Sequence, residues 1–304
     1  MLTLLISILS IYFFVLLGVI SKIAFKDQID PKTVTLLSVY FFQPFLTFWG
    51  LTKRPFDLSL IQAPFWYLVI VLTLLVTLYI ISKLLFGNLK EKAVFTIASL
   101  IGNTGNLGIP LGIAVFGEIS IPYTTMINIA NVFVVYTFGT YFYSRGSFSA
   151  KESLLNVIKI PILWAAILAV VVNISAVEIP KNIEESLKMG AYASITIQLM
   201  LFGIYLYSVR IKSINWKLTF WVVFIKFIAL PLLAFVALFY LPLEPLVKGI
   251  LFMSLMMPLA VANINLAALY DCLAKEVTAL VFLTSVLFLG YFALCLPIFG
   301  YWNQ

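Results

Sequence analysis

The chain has 304 residues, 63% hydrophobic and 10% charged, with 19 Lys and Arg against 12 Asp and Glu, a formal net charge of +7 and no histidine. Soluble globular domains lie nearer half apolar and a quarter charged, so the composition excludes one; repeated apolar runs of about 20 residues indicate an all-α polytopic membrane protein. Those runs take up nearly the whole length and leave no room for a soluble receptor or catalytic domain. The positive charge is expected to follow the positive-inside rule rather than to serve nucleic acid.

Ten spans are expected. The first runs from about Leu2 to Ile20 and lacks the basic flank and small-residue cleavage site of a signal peptide, so it reads as a retained span. The second begins after Asp30, with Pro31 suited to a first helical turn, and reaches about Leu51 with a kink at Pro44. The third covers about Pro64 to Leu85, the fourth is broken, and the fifth covers about Tyr123 to Tyr143. A polar connector, Ser144 to Glu152, divides the chain. The later spans are about Val157 to Ile174, Ser186 to Val209, Lys217 to Leu241, Leu246 to Tyr270 and Val277 to Phe299. Cys272 and Cys295, at opposite ends of the last span, are too far apart to bridge.

With ten spans every loop falls on a side. Thirteen basic residues, among them Lys22, Lys83, Lys90, Arg145, Lys151, Lys159 and Lys217, share one side, and only Lys53, Arg54, Lys181, Lys188 and Lys248 lie on the other. The richer side is the cytoplasm, which puts both termini on the non-cytoplasmic face of the plasma (inner) membrane. A shift of 154 residues lays the third, fourth and fifth spans on the eighth, ninth and tenth. Five spans per half is odd, so residues 1–148 and 149–304 read as two repeats of opposite orientation.

The fourth span carries Ile101 to Gly117, reading IGNTGNLGIPLGIAVFG, which cannot continue a helix. Gly costs about 1 kcal/mol and Pro about 3 kcal/mol relative to Ala inside one. In hydrocarbon the freed backbone groups would lack partners, so such a break belongs where it is buried in protein or lines a wet cavity. Two half-helices are expected, Ala93 to Ile101 and Ile109 to Phe116, with Pro110 in the first turn of the second and the amides of Asn103 and Asn106 at the break. Helix packing through the Gly108 and Gly112 spacing is the competing reading, and it leaves both asparagines unexplained. The ninth span repeats the pattern in MMPLAVANINL, with Pro258, Asn263 and Asn265. Counting in at 1.5 Å per residue puts Asn103 roughly 16 Å and Pro258 roughly 18 Å deep, close to the midplane of a core about 30 Å thick.

Lys226 is the one charge well inside a span, at the same depth, and no Asp or Glu lies there to pair with it. It reads as a counter-charge for an anion, with snorkelling or the capping of freed carbonyls as the alternative. Asn128 and Asn131 share a face of the fifth span, and Gln198 lies mid-span in the seventh; each amide is either a ligand or interhelical glue. Tyr, Trp and Phe are taken as interface anchors.

The NTGNLGIPLGIAVFG run, the MMPLAVANINLAALYD run and IKFIALPLL around Lys226 resemble the auxin efflux carrier family over the whole length of the chain. That family includes plant auxin exporters and bacterial permeases for small carboxylates, and is similar in fold to the bile-acid sodium symporters. The resemblance implies a five-plus-five inverted repeat, with helices four and nine crossing at their prolines and a scaffold part moving against a transport part. It assigns Asn103 and Pro110 to the polar and crossover positions of the fourth helix, Pro258 to the crossover of the ninth, and Asn263 to its polar part. The long cytoplasmic loop of many plant exporters is absent, which points to the bacterial permease branch.

The expected function is alternating-access transport of a small organic anion, a mono- or dicarboxylate, bound at the crossing by Asn103, Asn106, Pro110, Asn131, Gln198, Lys226, Pro258, Asn263 and Asn265. A channel or membrane sensor is the alternative. An enzyme is not expected, because there is no histidine, paired buried carboxylate or metal-ligand cluster. No cofactor or metal is expected; the partners are the anion and membrane lipid, with a homodimer as an option.

Overall fold

The computed structural model describes residues 2–52, 55, 58–207 and 214–302, and every regular element within them is helical apart from one isolated antiparallel bridge, Gly102 to Leu259. Among the described residues five helices are long and apolar enough to cross a membrane: Pro31–Thr52, Gln62–Leu85, Ile121–Arg145, Lys181–Tyr207 and Trp216–Tyr240. A bent pair, Ala150–Lys159 and Pro161–Ile174, makes a sixth. Leu2–Phe25 and Ala274–Trp302 are two more long helices. The remaining two runs are interrupted, Leu89–Ile97 with Ile109–Phe116 and Pro245–Met256 with Ala262–Leu269.

Helix starts follow local chemistry. Asp30 caps Pro31–Leu37 by accepting from the N–H groups of Lys32 and Thr33. The Thr33 hydroxyl, followed by those N–H groups, holds the Asp30 carboxyl below its usual range. Asn88 caps Leu89–Ile97, and Asn215 caps Trp216–Phe224. The first helix runs past the expected Ile20 to Phe25, and the seventh starts at Lys181 rather than Ser186, each with a polar turn that a hydropathy count leaves out. The expected end at Val209 and the basic residues Lys53, Arg54, Arg210 and Lys212 lie outside the described residues.

The connector departs most from expectation. Instead of a polar link reaching Glu152, Ser149 and Glu152 form a reciprocal capping box that starts a separate helix, Ala150–Lys159, at 52° to Pro161–Ile174. The Ser149 hydroxyl and N–H hold the Glu152 carboxyl below its usual range. Pro161 removes the N–H that would have continued the helix and opens the second segment instead.

Among the described residues four helices contain a wider turn closed by i→i+5 bonds: Ser38–Phe42, Thr104–Gly108, Val135–Gly139 and Ile225–Ala229. Three of them precede a proline, Pro44, Pro110 or Pro231, whose missing N–H breaks the regular ladder. The expected kink at Pro44 therefore takes the form of a wide turn just ahead of it.

The helices pack as two groups. Leu2–Phe25 lies along Lys181–Tyr207, and Gln43–Thr52 lies against both that helix and Pro161–Ile174. In the other group Gln62–Leu85 packs on Leu89–Ile97 and Ile121–Val134, while Pro245–Met256 packs on Leu230–Tyr240 and Ala274–Trp302. The core of the second group is centred on the breaks, with Ile101, Met256, Met257 and Leu259 all fully buried.

Candidate functional site

The two interruptions meet. The N–H of Asn103 donates to the Pro258 carbonyl at 2.8 Å and the N–H of Ala260 to the Ile101 carbonyl at 2.9 Å, so each broken helix satisfies backbone groups of the other. Chain that leaves a helix in an apolar interior must find such partners. The pairing runs through Ile101 to Asn103 on one side and Pro258 to Ala260 on the other, and not through Pro110, which lies near the start of Ile109–Phe116. The second break is also narrower than expected, because Asn263 and Asn265 already belong to the first turns of Ala262–Leu269.

Amides and tyrosines lock this joint. The Asn263 Nδ2 donates to the Ile101 and Ala260 carbonyls at 3.1 and 3.0 Å, and its Oδ1 accepts from the Tyr143 hydroxyl at 2.9 Å. Asn131 Nδ2 donates to the Gly102 carbonyl at 2.9 Å and to the Thr104 hydroxyl at 3.0 Å, while its Oδ1 accepts from Tyr67 at 3.0 Å. Thr104 in turn donates to Asn128 Oδ1 at 2.9 Å. Lys226, 1% exposed, donates from Nζ to the Leu255 carbonyl at 3.1 Å, and a methyl at Gly102 would sit 3.3 Å from the same nitrogen. The lysine therefore ties the last turn of Pro245–Met256 from behind Gly102.

A cavity of about 340 Å³ opens beside the joint, between the two helix groups. Gln43, Thr47 and Gln198 line it from one group and Asn103, Thr104, Asn128, Asn131 and Tyr136 from the other. Its wall follows Gln43 to Leu51, about 12 Å along a helix, and reaches Ile121 on the facing one. Toward the opposite helix ends the groups touch through Ala262–Leu269 against Pro31–Leu37, and Asn265 Nδ2 reaches Gln198 Oε1 at 3.5 Å. The volume suits a small organic molecule.

None of the described lining side chains is charged. What the cavity offers is dipoles. Thr104 and Gly105 begin the turn that leads into Ile109–Phe116, Ala262 opens Ala262–Leu269, and all three line the cavity. Among the described hydrogen bonds none engages the N–H groups of Thr104, Gly105, Val261 or Ala262. Each helix start carries roughly half a positive charge, which favours an anion. Gly105 is needed for this approach, since a methyl there would come within 2.9 Å of Asn128 Oδ1.

Of the residues expected at the site, Asn103, Asn131 and Gln198 line the cavity. Asn263, Asn265 and Lys226 lie buried outside the lining, and Pro258 contributes its carbonyl to the pairing. The side chains of Asn106 and Pro110 lie outside the described residues. Gln43, Thr104 and Tyr136 were not foreseen. Gln43 accepts from the Tyr136 hydroxyl at 2.9 Å. A lone amide before a mid-span proline was the available signal for Gln43; Tyr136 gave none apart from its depth. No group of three or more His, Cys, Asp or Glu able to hold a metal occurs among the described residues, and Cys272 is a buried free thiol that burial pushes up to about 12.

Paired broken helices beside a polar cavity, inside a bundle of apolar helices, define a polytopic membrane protein built in the manner of a carrier. The chain belongs to the family described as membrane transport protein, the auxin efflux carrier family, which matches residues 3–153 and again 147–296. It is 26% identical over 300 residues to an uncharacterized transporter of Methanocaldococcus jannaschii, covering 94% of this chain and 96% of that one.

Proposed function

We propose that the protein is a secondary transporter that carries a small organic anion, a mono- or dicarboxylate, through the cavity beside the helix joint. The observation that carries this reading is that two half-helix starts and the Asn103 and Asn128 amides converge on one uncharged cavity. A carboxylate there would accept from N–H groups at the two helix starts and from amide donors, while the rest of the molecule lay against Leu46, Ile109 and Ile129. Each helix start contributes about 0.3 to 2 kcal/mol toward an anion, and most in a partly buried setting.

The reading includes ten spans, in two oppositely oriented repeats over residues 1–148 and 149–304, with both termini on the non-cytoplasmic side of the plasma membrane. On that topology the Leu51 and Ile121 ends face outward, so the cavity is an outward-facing site. Sliding of the group that carries the joint past the group that carries Gln43 and Gln198 would expose it to the other side. The seam between the groups supports this reading, because the cavity lies in it and the joint belongs to one group.

The test is counterflow. Purified protein in liposomes preloaded with one carboxylate should accumulate the radiolabelled form against its gradient, and a panel of mono- and dicarboxylates would identify the substrate. Accumulation without preloading dependence, or none with any member of the panel, would sink the carrier reading or the anion reading respectively.

A further inference from the structure

A second cavity, of about 500 Å³, lies away from the joint, between Gln62–Leu85, Ile121–Arg145 and the connector helix Ala150–Lys159. Its lining is wholly apolar where it is accessible, formed by Leu75, Val76, Tyr79, Phe138, Leu154 and Val157 among others. It differs from an ordinary lipid-facing surface in being enclosed on three sides. Two upright helices form its walls, and the connector, which packs on the end of the fifth helix, forms the third.

The connector is amphipathic. Ser153 and Val157 are buried against the bundle, and Leu154, Leu155 and Ile158 are exposed beside them. Exposed apolar side chains on a short helix set at 52° to the next span suit the boundary between head groups and acyl chains. The mouth of the cavity is basic. Lys83 lies one turn beyond Tyr79 and holds its Nζ 4.3 Å from that ring centroid. Lys151 lies one turn before Leu154 on the connector, and both lysines are exposed. Arg145 and Lys159 close the two ends of the connector region; Glu152, on the connector helix, is held by Ser149 in the capping box, and Asp271, beside the start of the region, is paired with Lys90 at 3.1 Å. An apolar slot with a cationic rim at the membrane boundary is complementary to an anionic amphiphile.

We propose that this groove holds an anionic glycerophospholipid, with one acyl chain between the third helix, the fifth helix and the connector, and its phosphate between Lys83 and Lys151. The basic residues belong to the side that the charge count assigns to the cytoplasm, where anionic lipid is concentrated. The groove joins a wall of one helix group to the connector that leads through the Pro161 bend into the other. The lipid therefore spans the link between the groups and would steady it during their relative movement.

The probes are phosphatidylglycerol and phosphatidylcholine with identical chains, added to delipidated full-length protein and counted by native mass spectrometry. Wild type should retain phosphatidylglycerol about 30-fold more strongly, the scale expected of two lysines at a membrane surface. The double variant Lys83→Gln, Lys151→Gln should lose that preference and keep weak binding of either lipid. Val76→Trp, which fills the groove from its exposed rim, should lose both. All three proteins should unfold at about the same temperature, since the changed side chains are exposed. Equal retention of the two lipids by wild type, or an undiminished preference in the double lysine variant, would overturn the proposal. Unchanged retention in Val76→Trp would place the lipid elsewhere and overturn it as well.

Discussion

The N–H of Asn103 donates to the Pro258 carbonyl at 2.8 Å across two helices that are 155 positions apart in the chain. That bond and its companion from Ala260 to Ile101 make the two interruptions a single joint. The Asn103 backbone is therefore structural, while its side chain, for which no hydrogen bond is described, lines the cavity.

The separation of roles gives a paired prediction. Asn103→Ala should abolish or strongly weaken anion binding and leave the unfolding temperature almost unchanged. Asn263→Ala should do the reverse, because its amide makes three buried bonds that hold the joint. Leaving buried partners unsatisfied costs about 1 to 3 kcal/mol each, so a loss of a few kcal/mol is expected. Binding titration and thermal unfolding on the same samples would decide; a fully stable Asn263→Ala would mean that the amide is not what holds the joint.

Much of this joint is legible in the sequence. Gly, Asn and Pro between Gly102 and Gly112 announce a break, and helix rise places it at the depth of Pro258. What could not be read is which amides face the cavity. Asn131 and Asn263 look alike as mid-span asparagines, yet one lines the cavity and the other is enclosed, and the difference depends on tertiary packing around Ile101. Tyrosines were harder still. Tyr67, Tyr136 and Tyr143 are buried donors to Asn131, Gln43 and Asn263, whereas composition alone assigns tyrosine to the interface. The connector helix was missed because its polar residues, Lys151, Glu152, Asn156 and Lys159, hide a turn-by-turn apolar face under a low average hydropathy.

Glycine positions predict a stability effect away from the cavity. A methyl at Gly18 would overlap the Met200 carbonyl, and one at Gly203 would overlap that of Val15, so Leu2–Phe25 and Lys181–Tyr207 touch backbone to backbone there. Gly18→Ala and Gly203→Ala should each destabilise by about 1 to 3 kcal/mol or more, seen as lower unfolding temperature and yield. Gly290→Ala meets nothing within 4 Å and should be neutral or slightly stabilising. Equal behaviour of all three would mean that the first and seventh helices do not cross so closely.

Orientation can be tested with little background, because Cys272 and Cys295 are both buried. A cysteine at Glu178 should react with a membrane-impermeant maleimide in intact cells, and one at Gly87 should react only after the membrane is opened. The opposite pattern would reverse the topology and make the cavity inward-facing.

Lys226 stands outside the cavity lining, yet Gly102, against which its nitrogen rests, is part of that lining. When protonated, the amine held there would act on a bound carboxylate through space rather than by contact. At a separation on the order of 8 Å and an effective dielectric near 20 the attraction is about 2 kcal/mol. Lys226→Gln should therefore weaken the anion by about 5- to 30-fold and leave a neutral analogue of the same shape unaffected. The glutamine can still donate to the Leu255 carbonyl, so folding should survive the change. Titrating both ligands against both proteins separates the possibilities. Equal anion affinities would reduce Lys226 to a structural tie on the Pro245–Met256 helix, and an equal loss for the anion and the neutral analogue would mean that the joint itself had shifted.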